Sequence, residues 1–259
     1  SGDARRSIAD AITQAEARSP ASLELLRWRK GEKESVSLEL ETLGAYSKTA
    51  PYNCPKSSKI LKKAAKVFYE ADDPGTWSLG ILVLLAASDP SGPDHDAYHA
   101  KAREWAHGLI CPSEDKLDRG GKEAWTHSYR IVILAEYYLQ TKDEAVLPTL
   151  GWYANLYARH QSWFGTTGHI YATHAPDGSS NGPMIGYGAI NGTGVTGFLG
   201  MVLAREAGIT SPELKAAIKR AEIFFGSYAD KSGLAYGEHS FGPGAGLLDM
   251  NGRNATVAL

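Results

Sequence analysis

Cysteine is scarce in this sequence. Its 259 residues hold only Cys54 and Cys111, enough for at most one disulfide and too few for a paired-thiol metal site. An excess of either charge is also missing: 27 basic residues face 29 acidic ones, a net charge of −2. That balance argues against a nucleic-acid footprint, which needs a clustered basic surplus. Long hydrophobic runs are absent too. The longest, Ile81–Ala87, is far short of the roughly 20 residues that cross a bilayer, which excludes membrane insertion through a helix. No phosphate loop, dinucleotide fingerprint or nucleophile elbow is present. What remains is an ordinary globular composition, 43% apolar, with abundant but non-periodic glycine.

The first 48 residues read as a small unit of their own. Ile8, Ala11, Ile12 and Ala15 recur at helical spacing between Asp3 and Arg18. Leu23 and Leu25, then Val36, Leu38 and Leu40, alternate around Lys30-Gly31-Glu32, a hairpin pattern with a glycine turn. From residue 49 to 259 the periodicity is helical. Segments apolar nearly all round (Trp77–Ser88, Trp125–Gln140, Gly192–Ala207) alternate with amphipathic ones (Asp94–Gly108, Asp143–His160, Ser211–Tyr228). A further helix, with an N-cap at Ser57 or Ser58, precedes them. The expected fold is mainly α: about three helical hairpins of an α/α toroid, with a small β-containing N-terminal segment. Three hairpins do not close a ring. The chain is therefore expected either to self-associate as a homo-oligomer or to be completed by the remainder of a longer chain.

Segments leading into the apolar helices are long and rich in glycine, aromatics and histidine, and a toroid gathers them at one end, over helix N-termini that favour anions. The densest runs from Gln161 to Asn191. His169, His174, Tyr171 and Tyr187 are the candidate proton-transfer residues there. Gln161, Trp163, Asn191, Trp125, His127, Glu238 and His239 are the candidate substrate-binding residues. The five-residue spacing of His169 and His174 matches no zinc pattern, so neither metal nor cofactor is expected. Asp72-Asp73-Pro74-Gly75 reads as turn chemistry, and Glu136 as a buried carboxylate paired with Arg130 or Arg205.

Several stretches carry a resemblance: Trp125 through Asp143 with Val146-Leu147-Pro148, Gln161-Ser162 through Gly168-His169, Gly186 through Asn191, and Asn251 through Ala255. Together they resemble a family of secreted bacterial proteins of unknown function, in which a PDZ-like domain precedes an α/α toroid akin to terpenoid cyclases and polysaccharide-active enzymes. Ala9–Ser47 is similar to the end of that PDZ-like part. The resemblance implies a secreted or periplasmic protein. By analogy with toroidal polysaccharide lyases it also implies an amide that neutralises a uronate, with histidine as base and tyrosine as acid. The leading expectation is a lyase or hydrolase acting on an acidic or sulfated polysaccharide. A non-catalytic binding or scaffold module is the alternative. Terpenoid or lipid chemistry comes third, because acidic cavity motifs are missing.

Overall fold

The computed structural model describes residues 4–88, 90, 92, 94–109, 111, 122–173, 181–183, 188–228, 234, 236 and 237. The chain is mainly helical and carries one two-stranded antiparallel sheet. It divides into two compact units, residues 1–67 and 68–259.

The first unit contains helix α1 (Ala4–Glu16), strands β1 (Ser22–Arg29) and β2 (Glu32–Glu39), and most of α2 (Pro55–Glu70). The strands pair in the register Leu23↔Leu38 and Leu25↔Val36. Lys30 and Gly31 both have positive φ at the turn, the backbone that a two-residue hairpin demands. Helix α2 begins at Pro55, two residues before the expected serine caps, because proline is preorganised for a first helical turn. The division between the two compact units falls inside α2. Lys56 of α2 is buried against Glu16, Nζ to Oε2 2.5 Å, and Lys63 pairs with Glu41, while Phe68 lies against Gly80 of the second unit's own first helix.

The second unit holds α3 (Gly80–Ala87), α4 (His95–His107), α5 (Glu123–Thr141), α6 (Leu147–His160), α7 (Asn191–Glu206) and α8 (Pro212–Gly226). Each odd-numbered helix packs on its successor; α5 also touches α3 and α7, and α6 touches α8. The core includes Ile131, Leu134, Leu150, Tyr153, Leu156 and Tyr157, with Leu214, Ile218 and Phe225 from α8. Four glycines on α7 make this close packing possible. A Cβ on Gly197 would stand 2.0–2.4 Å from the Tyr157 ring, and one on Gly200 about 3.0 Å from Ile131.

Two expectations are corrected here. The apolar run from Trp77 does not form one helix: Trp77 and Ser78 both have left-handed backbone, so α3 starts only at Gly80. Glu136 is exposed, not buried, and the two arginines have other partners: Arg130 bonds the Tyr153 hydroxyl, and Arg205 pairs with Glu206.

The turn from α5 to α6 is held by Asp143. Its Oδ2 accepts from His107 Nε2 (2.7 Å) and the Tyr137 hydroxyl (2.9 Å), and its Oδ1 accepts the Ala145 N–H (3.2 Å). Burial pushes the carboxyl's pKa up, but the hydrogen bonds from His107 and Tyr137 outweigh it and hold the group below its ordinary value. The same contact, added to burial, pushes Tyr137 up to about 12.

Candidate functional site

The entry to α3 is built from turn chemistry. Asp73 Oδ1 accepts the Gly75 N–H at 2.7 Å, so the Asp-Asp-Pro-Gly segment serves as a turn. Ser78 N–H then bonds Gly75 O at 2.9 Å, and Gly80 N–H bonds Pro74 O at 2.8 Å. These bonds hold Trp77 (φ 56°) and Ser78 (φ 61°) in a conformation that costs non-glycine residues about 1–3 kcal/mol each. The result is an indole laid flat on α5. The Trp77 ring is parallel to Tyr129 within 4° at 4.6 Å, and to Trp125 within 14° at 5.7 Å. Trp125 and Tyr129 are one helical turn apart and so share a face. All three rings are half-exposed.

The stack continues into the loop before α7. Trp125 Nε1 donates to His169 Nδ1 at 2.8 Å. A nitrogen that accepts carries no proton, so the neutral His169 ring holds its hydrogen on Nε2. Tyr236 follows, 6.4 Å from the His169 ring, and its carbonyl accepts the Asn191 N–H at the start of α7. Gly192 leaves room for Trp125: a Cβ there would lie 2.9 Å from the indole edge. Burial raises the Tyr129 hydroxyl, and a hydrogen bond with Thr196 of α7 partly offsets this. Described parts of three connecting segments, before α3, before α7 and after α8, thus meet around the N-terminal ends of α5 and α7.

Behind the stack lies a buried pair. His127 Nδ1 is 2.7 Å from the Tyr171 hydroxyl, with the two residues 4% and 8% exposed. Burial, then the positive charge of Arg130 and the neighbouring His160, lowers the His127 pKa to about 4, so the ring is neutral at pH 7. Burial raises the Tyr171 hydroxyl well above its ordinary value, with Tyr157 and Glu123 adding to the effect. This pair can share a proton, but solvent scarcely reaches it.

The other expected site residues are placed as follows. Gln161 is fully buried, and both ends of its amide are engaged: Nε2 donates to Gly165 O (3.0 Å), and Oε1 accepts from Arg220 (3.1 Å). Its amide shapes the loop. Trp163 is exposed, and Asn191 is buried as the first residue of α7. His174, Tyr187, Glu238 and His239 lie outside the described residues. Sequence reasoning missed Trp77 and Tyr129 as members of the site. The available signals were a tryptophan placed just after Pro-Gly and an aromatic one turn beyond Trp125. Among the described residues no group of three or more His, Cys, Asp or Glu converges as a metal site, and no helix is long and apolar enough to cross a membrane. Cys54 and Cys111 are both free thiols.

The chain belongs to a family of unknown function, DUF6288, whose model matches residues 57–259. No curated protein and no solved structure matches it.

Proposed function

We propose that this chain binds an acidic polysaccharide across the Trp77–Trp125–Tyr129 stack. In this reading α3–α8 are part of an α/α toroid, and the N-terminal unit is a PDZ-like remnant of an exported protein. The observation that carries it is the stack itself: three half-exposed parallel rings beside two helix N-termini, with one ring held there by a costly left-handed backbone. Flat aromatic faces suit the C–H faces of sugar rings, and helix N-termini favour carboxylate or sulfate groups. His169 holds the Trp125 indole N–H through Nδ1 and so fixes the edge of the stack. The toroid is supported by the row α3–α5–α7, each member paired with the next helix in sequence.

Cleavage by β-elimination is the second reading, favoured by the neutral His127 hydrogen-bonded to Tyr171, and it requires the buried pair to open to substrate. A panel of acidic and neutral glycans, followed by calorimetry and by the ultraviolet absorbance of a new C=C–carboxylate, separates the two. Binding of acidic glycans is expected to weaken about 10-fold or more in Trp77→Ala, the equivalent of roughly 1.4 kcal/mol, with a smaller loss in His169→Ala. Unsaturated product that disappears in His127→Gln would establish the lyase. Affinity unchanged in Trp77→Ala would end the reading of the stack as a glycan platform.

A further inference from the structure

Away from the stack, the first turn of α4 places two imidazoles together. His95 and His99 are four residues apart on one helix face, both half-exposed, with ring centres 4.4 Å apart and planes tilted by 50°. We propose that His95 and His99 form an open two-imidazole site for a late first-row divalent metal ion: Cu²⁺, Ni²⁺ or Zn²⁺.

Three observations carry the site. The first is spacing. Two imidazoles bound side by side to one ion at ~2.0–2.1 Å have ring centres roughly 4.5–5 Å apart, close to the separation already present. The second is orientation. Ser88, at the end of α3, has its Oγ 2.6 Å from His95 Nδ1 and 3.4 Å from the His95 carbonyl. The hydroxyl engages Nδ1, and in the tautomer whose lone pair is on Nε2 it accepts the Nδ1–H, which leaves Nε2 for the ion. A hydrogen bond to the second ring nitrogen is how proteins fix a histidine ligand's tautomer and aim. The third is charge. Asp94 and Asp96 flank His95 in exposed positions and favour a cation. Arg103, one turn beyond His99, has its Nε 3.4 Å from Asp143 Oδ2. Two protein ligands leave the remaining coordination positions to water. Imidazole without a carboxylate cage selects Cu²⁺, Ni²⁺ and Zn²⁺ over Mg²⁺ and Ca²⁺.

The test uses the full chain, stripped with chelator and titrated by calorimetry with Cu²⁺, Ni²⁺, Zn²⁺ and Mg²⁺ separately. Saturable binding of the three late metals at α4, and none of Mg²⁺, is expected. Affinity should fall at least about 10-fold in His95→Gln and in His99→Gln, and by roughly 10-fold in Ser88→Ala, the usual effect of losing a ligand's supporting hydrogen bond. Electron paramagnetic resonance of the Cu²⁺-loaded parent should report two coordinating imidazole nitrogens, and one in each histidine variant. Thermal unfolding of the metal-free variants checks that they fold. If either fails to fold, the two-nitrogen count in the parent decides. Unchanged affinity in both folded variants, fewer than two nitrogens in the parent, or no saturable binding would each overturn the site and leave the two rings simply stacked.

Discussion

Replacing Gly197 by alanine is expected to cost about 3 kcal/mol of folding stability, the upper range for forcing a methyl group into a filled core. The new Cβ would stand 2.0 Å from Tyr157 Cζ and 2.1 Å from its hydroxyl. Tyr157 cannot swing aside, because it is 1% exposed and its hydroxyl is held by Thr167 Oγ1 at 2.7 Å and Thr193 O at 3.1 Å. Burial keeps that phenol protonated, so moving it would also strand a polar group. Gly226→Ala is the matching control. It ends α8 with open space around its Cβ position, and alanine there should be neutral or slightly stabilising. Urea unfolding of both variants beside the parent gives the comparison. A Gly197→Ala protein as stable as Gly226→Ala would mean that α6 and α7 do not approach as described.

Acidification should destabilise the protein through His127 before most carboxylates titrate. In the folded chain this histidine takes up a proton only near pH 4, against 6.5 when unfolded. Between those values the unfolded state binds the extra proton, so stability is full above about pH 6.5 and falls as the pH drops towards 4. The difference between these two values corresponds to roughly 3 kcal/mol at its full extent. Denaturant midpoints measured at pH 7.5, 5.5 and 4 should show the decline, and His127→Gln should flatten it. Asp143 works at the lower end: its depressed pKa gives stability that disappears only as the pH falls through and below the ordinary carboxylate range. A His127 variant with the parent's slope between pH 6.5 and 4 would assign the decline to another group.

Much of the helical framework was legible because apolar residues recur at helical spacing and the caps are local. Helix α8 opens with Ser211 accepting the Leu214 N–H and with Pro212 in its first turn, both readable in the sequence. The hairpin around Lys30-Gly31 was legible for the same reason. Illegible features depend on partners far away in the chain. Trp125 and His169 are 44 residues apart, as are His127 and Tyr171, and neither pairing leaves a periodic trace. Gln161 looked free to bracket a substrate because Arg220, which occupies its oxygen, lies 59 residues on. Glu136 was misread because Ile131–Ala135 is apolar on every face, which hides the side that α5 turns to solvent. Trp77 was absorbed into an apolar run. Two consecutive left-handed residues, neither of them glycine, are a conformation that propensity argues against.

The glycines of α7 also set an order of events during folding. Gly192, Gly194, Gly197 and Gly200 fall within sixteen residues, and each costs a helix about 1 kcal/mol relative to alanine. A segment of this length is marginal as a helix on its own even with good formers. Helix α7 therefore cannot act as a nucleus; it has to wait for the surface on which it lies. That surface is α5 and α6, joined through a short turn. On this ground α7 is expected to condense onto the α5–α6 hairpin, which an α5–α6 variant slowing folding more than a Gly200 variant would show. The platform around Trp125 is then completed only at the last step, when Gly192 closes over the indole.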